Sequence, residues 1–332
     1  MTARLRGVAL TPMETRRDVI VRAAVLADEL GFASFSVPEG WGLDSSPVLT
    51  EIALRTTGIK LVSAIVSVWG RTPATIAMTA ATLHQICEGR YILGLGASTK
   101  ALAEGFHDVA FEHPAAKLRD TVTKVRALLD GLPVPLEHVP AARPLRLGQP
   151  PVPGLPIWIA ALGQHTMNVA AELGDGWIPA LMARDHVAAW AKRLGQRRET
   201  AAPHAPALTV AAGPIAVADE DPGTARDIAA ACAAWYLTAM GDVYARSLAS
   251  QGYAAEVSAV IAANPRPSPH RGTIPPEARV VLDQLATCGT PGELREQLEP
   301  WDHAADIVTL MLPPGLPWGT VEATLRAAAP GA

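Results

Sequence analysis

The sequence contains few charged residues and no excess of basic ones. Charged residues make up only 18% of the 332 residues, and 28 basic against 32 acidic side chains give a net charge of −4. Binding to nucleic acid or to an anionic membrane surface relies on an excess of basic side chains. We therefore expect neither as a partner.

Cysteine and long apolar runs are also scarce. Cys87, Cys232 and Cys288 lie far apart without CxxC spacing, so neither a disulfide framework nor a zinc site is expected. No apolar run approaches the roughly 20 residues that a membrane-spanning helix needs. The short apolar run at 7–10 is followed at once by proline and charges, unlike a secretory signal. A soluble protein in a reducing cytoplasm is expected.

The sequence does contain a regular alternation of short β-prone runs with longer amphipathic segments. Eight runs are predicted to be strands, each followed by a segment of helical periodicity. They are residues 5–10, 32–37, 59–66, 91–95, 157–161, 176–181, 208–218 and 306–312. Eight strand–helix repeats predict an α/β fold of the (β/α)8 TIM-barrel class. A doubly wound open sheet is the alternative.

Two proline-rich stretches interrupt this alternation. Residues 132–154 contain seven prolines, and residues 264–276 form a polar loop after a long helical stretch, 222–263, with a break near Gly241. Because the alternation resumes after residue 154, we predict one barrel domain over residues 1–332, with insertions after strands four and seven. Two domains joined by a linker are the alternative. Both insertions are expected to shape the barrel mouth.

Polar residues follow the second and third predicted strands. In such a barrel, function lies on the loops that leave the carboxyl ends of the strands. Glu39 leaves an apolar strand, so it could bind a polar ligand edge, or move a proton if burial raises its pKa. A helix cap or a salt bridge is an equally good interpretation. Arg71 could hold an anion, but an ion pair with a neighbouring carboxylate is favoured.

Glycines mark two further exits. Gly163 and Gln164 open a helix after strand five, where backbone N–H groups and the helix dipole could hold a phosphate. Gly94 and Gly96 would let a second loop approach the same ligand closely. Tight turns that need positive φ are the alternative for both pairs. The stretch is not a dinucleotide fingerprint, because Thr99 stands where the third glycine would be.

No metal site and no catalytic nucleophile are predicted. His107 and His113 flank Asp108 and Glu112, but their spacing differs from that of a helical HExxH pair and the stretch is predicted to be a loop. Ser98 has no evident base partner, and the sequence contains no GxSxG elbow. Nucleophilic catalysis is therefore unsupported.

Four stretches together resemble the luciferase-like monooxygenase superfamily, especially its actinobacterial branch that uses coenzyme F420. They are residues 26–44, 55–98, 156–179 and 287–315, in this order along the chain. They cover most of the sequence apart from the two proline-rich insertions. The resemblance implies a barrel with a flavin or deazaflavin at its C-terminal mouth.

The resemblance also implies roles for particular residues. Gly163 and Gln164 would meet the phosphate through backbone amides, and Ala64 and Ile65 align with a non-proline cis peptide bond behind the ring. Glu39 and Ser98 would line the cofactor site. The full set predicted to bind the cofactor is Glu39, Ala64, Ile65, Gly94, Gly96, Ser98, Ala161, Gly163, Gln164 and Trp177, and the predicted catalytic residues are Glu39 and Trp41.

Tryptophan is over-represented among the few aromatic residues. There are eight Trp against four Tyr and four Phe, with aromatics only 5% of the chain. Trp41, Trp69 and Trp177 fall at or near the predicted strand exits or within strand six, where a planar cofactor would rest. Packing at the barrel rim is the alternative.

Two departures from dehydrogenases of the superfamily narrow the expected activity. Members that oxidise glucose 6-phosphate carry an acidic residue after strand four and a lysine after strand six, where this chain has Ala97 and Ala183. Members that oxidise alcohols place a histidine just after strand two, where this chain has Glu39, Gly40 and Trp41. Neither activity is expected.

The resemblance implies an F420-dependent oxidoreductase that transfers a hydride between reduced deazaflavin and a small organic substrate. One alternative is an FMN-dependent luciferase-like monooxygenase that uses oxygen and a separate reductase. Another is a barrel that binds a ligand without turnover. The resemblance further implies a homodimer.

Overall fold

A closed ring of eight parallel strands forms the centre of the molecule, whose computed structural model describes residues 4–137 and 139–331. The order around the ring is β1-β2-β3-β4-β5-β6-β7-β10, and β10 pairs back onto β1 from Arg6 opposite Val308 to Leu10 opposite Leu312. The predicted barrel is confirmed. The ring strands are β1 (Arg6–Leu10), β2 (Ser34–Val37), β3 (Lys60–Ser67), β4 (Tyr91–Gly96), β5 (Ile157–Ala160), β6 (Gly176–Ile178), β7 (Thr209–Ala212) and β10 (Ile307–Leu312).

Helices surround the ring, and several begin at a capping side chain. Asp44, Thr72 and Thr99 each accept a hydrogen bond from a backbone N–H of the first turn of α2, α3 or α4, which satisfies a donor that the helix itself leaves unpaired. The helices are α1 (Arg17–Glu29), α2 (Ser45–Ala53), α3 (Pro73–Ile86), α4 (Lys100–Gly105), α5 (Pro114–Leu129), α6 (Gln164–Leu173), α7 (Arg184–Ala201), α8 (Pro222–Ala239), α9 (Val243–Leu248), α10 (Ala254–Ala263), α11 (Arg279–Leu285), α12 (Pro291–Leu298) and α13 (Trp318–Ala327). In the described residues no helix is both long and apolar enough to cross a membrane.

The predicted seventh strand, 208–218, was wrong in its extent. It divides into β7 and β8 (Ile215–Ala218) at Gly213 and Pro214. Proline has no N–H for the ladder, and a side chain at Gly213 would lie 2.2 Å from the carbonyl oxygen of Thr309. β8 then pairs with β9 (Ala286–Gly289), a short parallel strand that was not predicted. β8 also pairs with the ring strand β10, where Ile215 lies opposite Met311, so this strand pair extends from the ring.

The two proline-rich insertions lie in different places. Residues 132–154 join the end of α5 to the start of β5, so they lie at the amino ends of the strands, away from the mouth. There Gln149 donates to the Oγ1 of Thr82 on α3 at 3.2 Å. The expectation that this insertion shapes the mouth was wrong. The second insertion does reach the mouth, because a Cβ on Gly315, just after β10, would lie 3.0 Å from the His270 ring.

Side chains on the inner face of the barrel change in size along the strands. Trp158 pairs in register with Gly94 on one side and Gly176 on the other, and it packs inside the ring with Val62 and Ile307. One layer nearer the carboxyl ends, the register aligns Gly96, Ala160 and Ile178. An indole therefore fills the barrel nearer the amino ends of the strands, and smaller groups line it nearer the carboxyl ends.

The approach of β3 to β4 at Gly94 yields a test of this packing. A Cβ on Gly94 would lie 1.9 Å from the carbonyl oxygen of Ser63, beside the register shift between Ser63 and Val66. The backbone must move to admit it, at a cost of about 1–3 kcal/mol or more. We expect Gly94→Ala to lower the thermal midpoint by roughly 1–4 °C or more, measured by circular dichroism.

Gly195→Ala is the matched control. Gly195 lies within α7, and a Cβ there would have no atom within 4 Å. Alanine is the better helix former by about 1 kcal/mol, so this variant should keep or raise the midpoint. Equal shifts in the two variants would contradict the packing that we describe for Gly94.

Candidate active site

A cavity of about 340 Å³ opens at the carboxyl ends of β2, β3 and β4. Its lining includes the side chains of Glu39, Trp41, Asp44, Arg71, Ser98 and His107. The barrel therefore brings three of the predicted residues, Glu39, Trp41 and Ser98, around one space. Charged groups of both signs face it.

Glu39 and Arg71 form an ion pair at this cavity. Arg71 directly precedes Thr72, the N-cap of α3, and its guanidinium contacts Glu39 and also the Oδ1 of Asp44 at 2.9 Å. The side chains of Glu39 and Arg71 are only 17% and 20% exposed. The expected ion pair of Arg71 with a neighbouring carboxylate is confirmed.

The environment of Glu39 makes its carboxyl unusual. Burial raises the pKa of Glu39, and this effect outweighs the opposing influence of the Arg71 guanidinium. Arg71 contacts only Oε1, and the buried Oε2 has no hydrogen-bond partner in the described part of the chain. A carboxyl with a raised pKa and an uncommitted oxygen is suited to hold and release a proton.

His107 is a lining residue that the sequence analysis did not propose for this site. A Cβ on Gly70 would lie 2.8 Å from the imidazole. The ring can therefore pack on the loop that follows β3 only because Gly70 has no side chain. His107 is also one of the neighbours that favour a lower pKa of Glu39, although burial outweighs them. The only signal in the sequence was its cluster with Asp108 and Glu112, and no metal-binding group of His, Cys, Asp and Glu occurs among residues 4–137 and 139–331.

The inner wall of the mouth is made of small and partly exposed residues. The peptide bond between Ala64 and Ile65 is cis, as the resemblance implied, and both residues are partly exposed although they lie within β3. A Cβ on Gly96 would lie 3.1 Å from the Ile65 side chain and 3.3 Å from the Ala160 Cβ. A side chain at Gly96 would thus fill a shallow cradle.

Gly94 and Ala161 have packing explanations. The side-chain position of Gly94 faces the Ser63 carbonyl oxygen, which accounts for glycine there without any ligand. Ala161 is 5% exposed, and its carbonyl oxygen accepts a hydrogen bond from the Trp177 indole at 2.9 Å.

Trp177 does not lie at the mouth, so that prediction was wrong. Its neighbours Gly176 and Ile178 belong to the inner face, and alternation along the strand turns Trp177 outward. It is 0% exposed and belongs to the large cluster between sheet and helices. Trp177 and Leu194 of α7 line the same outer cavity. It is a packing residue.

The other two tryptophans do lie at the mouth. Trp41 is 41% exposed, and its ring centroid is 6.0 Å from that of Trp235 on α8. The Trp69 indole donates to the carbonyl oxygen of Ala97 at 2.7 Å, which links the exits of β3 and β4. Trp41 thus contributes an accessible aromatic face.

The predicted phosphate loop lies at the exit of β5, at the same end of the barrel. Gly163 is the N-cap of α6 and supplies no side-chain hydrogen bond, and both Gly163 and Gln164 are exposed. A helix N-terminus without a side-chain cap presents backbone donors to solvent. Ser98, near the β4 exit, has a left-handed backbone with φ of 55°.

Comparison with known proteins identifies the family. The sequence model of the luciferase-like monooxygenase family matches residues 4–305. The chain belongs to this family.

Three similar proteins show the range of the family. A Mycobacterium tuberculosis protein provisionally named a coenzyme F420-dependent oxidoreductase is 30% identical over 173 residues, 46% of this chain and 48% of the relative. The F420-dependent tetrahydromethanopterin reductase of Methanopyrus kandleri has a TM-score of 0.74 at 18% identity over 99% of both chains. The FMN-bound oxygenating constituent of 3,6-diketocamphane monooxygenase from Pseudomonas putida has 0.68 at 17%, also over 99% of both.

The sequence match and the structural matches differ in how much of each protein they cover. The match to the M. tuberculosis protein spans about half the length of that relative. The two solved structures share the fold with this chain along its whole length. Of these proteins, two are named for F420 and one carries FMN.

The raised pKa of Glu39 predicts a pH-dependent stability difference. Ionising Glu39 costs more free energy in the folded protein than in the unfolded chain. The protonated carboxyl therefore contributes its full stabilisation below the unfolded pKa, and this stabilisation is lost as pH rises through the folded pKa. Glutamine cannot ionise. The thermal midpoint of Glu39→Gln, relative to the parent, should therefore rise as pH increases from about 4, the ordinary range of a glutamate, toward neutrality.

Asp28→Asn should behave in the opposite way. Burial works against the Asp28 carboxylate, but backbone N–H donors from Thr57, Ile59 and Gly58 outweigh it and lower the pKa of Asp28. That variant should lose stability relative to the parent as pH rises to about 4, the ordinary range of an aspartate, and the difference should change little at higher pH. A flat or falling difference for Glu39→Gln would contradict the raised pKa.

Proposed function

We propose that the protein is an F420-dependent oxidoreductase that transfers a hydride between the deazaflavin and a small organic substrate. The observation that carries this proposal is the barrel mouth, where a cradle of small residues lies at the same end of the barrel as a buried carboxyl of raised pKa. The name of the M. tuberculosis relative supports F420 as the cofactor.

The residues of the mouth fit a flat ring. Ala64, Ile65 and Ala160 are partly exposed on barrel strands, and a Cβ on Gly96 would intrude between the last two. A ring could therefore rest against this wall, with the Trp158 layer beneath it. Cofactor sites of this kind are mostly apolar with few polar groups.

The exposed start of α6 fits the phosphate end of the cofactor. The backbone N–H groups of Gly163 and Gln164 would donate to phosphate oxygens. Ser98 at the neighbouring exit would line the same site. When bound, the deazaflavin supplies the hydride from its ring carbon C5.

Glu39 would handle the proton that accompanies hydride transfer. Arg71 fixes one carboxyl oxygen by the ion pair, which leaves Oε2 to donate to, or accept from, the substrate. A raised pKa keeps more of the carboxyl protonated near neutral pH than an ordinary glutamate. Trp41 would cover the substrate from the solvent side, since its ring reaches Trp235 across the mouth.

Cofactor titration of three proteins tests the proposal. F420 or FMN is added to the parent, to Gly163→Pro and to Gly163→Ala, and binding is followed by fluorescence. We expect the parent to bind F420 more tightly than FMN. Gly163→Pro removes one amide donor, and loss of a charge-assisted hydrogen bond should weaken F420 binding about tenfold.

Gly163→Ala keeps the amide and is the matched control. Its added Cβ would have only the Thr166 Oγ1 nearby, at 3.7 Å, so binding should match that of the parent. Tight FMN binding without F420 binding would contradict the proposed cofactor and favour the monooxygenase. Equal binding by all three proteins would contradict only the placement of the phosphate.

A further inference from the structure

A second cavity, of about 630 Å³, lies outside the barrel among α8, α11 and the 264–276 insertion. Three arginines line it: Arg226 from α8, Arg271 from the insertion and Arg279 from α11. It shares no lining residue with the candidate active site. Its size falls within the range of small-molecule sites, about 300–1,000 Å³.

The charge of this cavity is opposite to that of the chain as a whole. The chain has a net charge of −4, whereas the cavity gathers three guanidinium groups against one lining carboxylate, Asp227. Among the described residues none of the three arginines forms an ion pair within 4.0 Å. No carboxylate in the described residues therefore neutralises these side chains by direct contact.

The insertion that carries Arg271 is held in place by buried contacts. Asn264, only 8% exposed, donates to the carbonyl oxygens of Val260 and Thr273 at 2.7 and 2.8 Å and accepts from the Thr273 N–H at 2.9 Å. Gly272 packs on α8, since a Cβ there would lie 2.8 Å from that of Ala234. The backbone next to Arg271 is therefore fixed before any ligand binds, which reduces the entropy lost on binding.

Neighbouring groups do not neutralise the cluster. The N-terminus of α8 is capped by the Asp221 side chain, so attraction for an anion must come from the arginines themselves. Glu293 is close enough for Arg226 to affect it, but hydrogen bonds from Thr290 are the main cause of its lowered pKa. That carboxylate is already engaged in the capping box of α12.

We propose that this cavity binds a small polyanion that carries at least two carboxylate or phosphate groups. Guanidinium groups bind both kinds of oxyanion through paired N–H donors. Three of them on separate elements can contact two groups of one ligand at once, which a single surface arginine cannot.

Calorimetric titration with pyrophosphate and with citrate tests this site. At constant ionic strength we expect the parent to bind at least one of the two, and the preferred probe distinguishes phosphate from carboxylate ligands. Arg271→Gln and Arg279→Gln should each weaken binding about fivefold or more. The triple variant with Arg226→Gln should show no binding. All three arginines are exposed, so the variants should fold, which their thermal midpoints will show.

Arg55→Gln is the control for loss of one positive charge. Arg55 is 57% exposed at the end of α2, where it pairs with Glu51, and it does not line the cavity. Its binding of the probes should match that of the parent. Failure of the parent to bind either probe, or equal weakening by Arg55→Gln, would overturn the proposal. F420 binding should be unchanged in the triple variant, so the failure of this proposal is distinguishable from that of the cofactor proposal.

Discussion

Packing of the Trp158 indole across Gly176 is the contact on which the shape of the site depends. A Cβ on Gly176 would lie 2.4 Å from the indole, so this large ring fits inside the barrel only because its neighbour has no side chain. The indole fills the barrel at that level, and the next layer, with Gly96, Ala160 and Ile178, carries smaller side chains. A space open toward the carboxyl ends of the strands follows from this change in side-chain size.

Charged side chains lie on one side of the mouth, at the exits of β2 and β3. Glu39, Arg71 and Asp44 come from the exits of two adjacent strands, and their contacts hold a buried carboxyl in place without satisfying both of its oxygens. Burial opposes ionisation while Arg71 supports it, and burial dominates for Glu39. The barrel thus keeps a buried carboxyl of raised pKa at the same open end of the strands as an apolar wall, the arrangement on which the proposed hydride transfer relies.

The barrel could be predicted from sequence because each strand–helix repeat carries its own periodicity. The Ala64–Ile65 cis bond followed from resemblance alone. Other features depend on contacts between distant segments. A three-residue strand does not reveal which face Trp177 occupies, and β9 has no β-prone run. His107 reaches the site because α4 and the following turn bring it against Gly70. The break in strand seven, at Gly213 and Pro214, was visible in the sequence and could have been used.

F420 binding by Ala160→Leu tests the central claim, that the small-residue layer of the mouth holds the cofactor ring. Ala160 is partly exposed on the inner face, so a leucine there should fill the mouth while leaving the barrel folded. We predict F420 binding weakened about tenfold or more with little change in thermal midpoint, whereas Ala189→Leu, on an exposed position of α7, binds as the parent does. Binding of F420 by a folded Ala160→Leu protein with the parent's affinity would contradict the account.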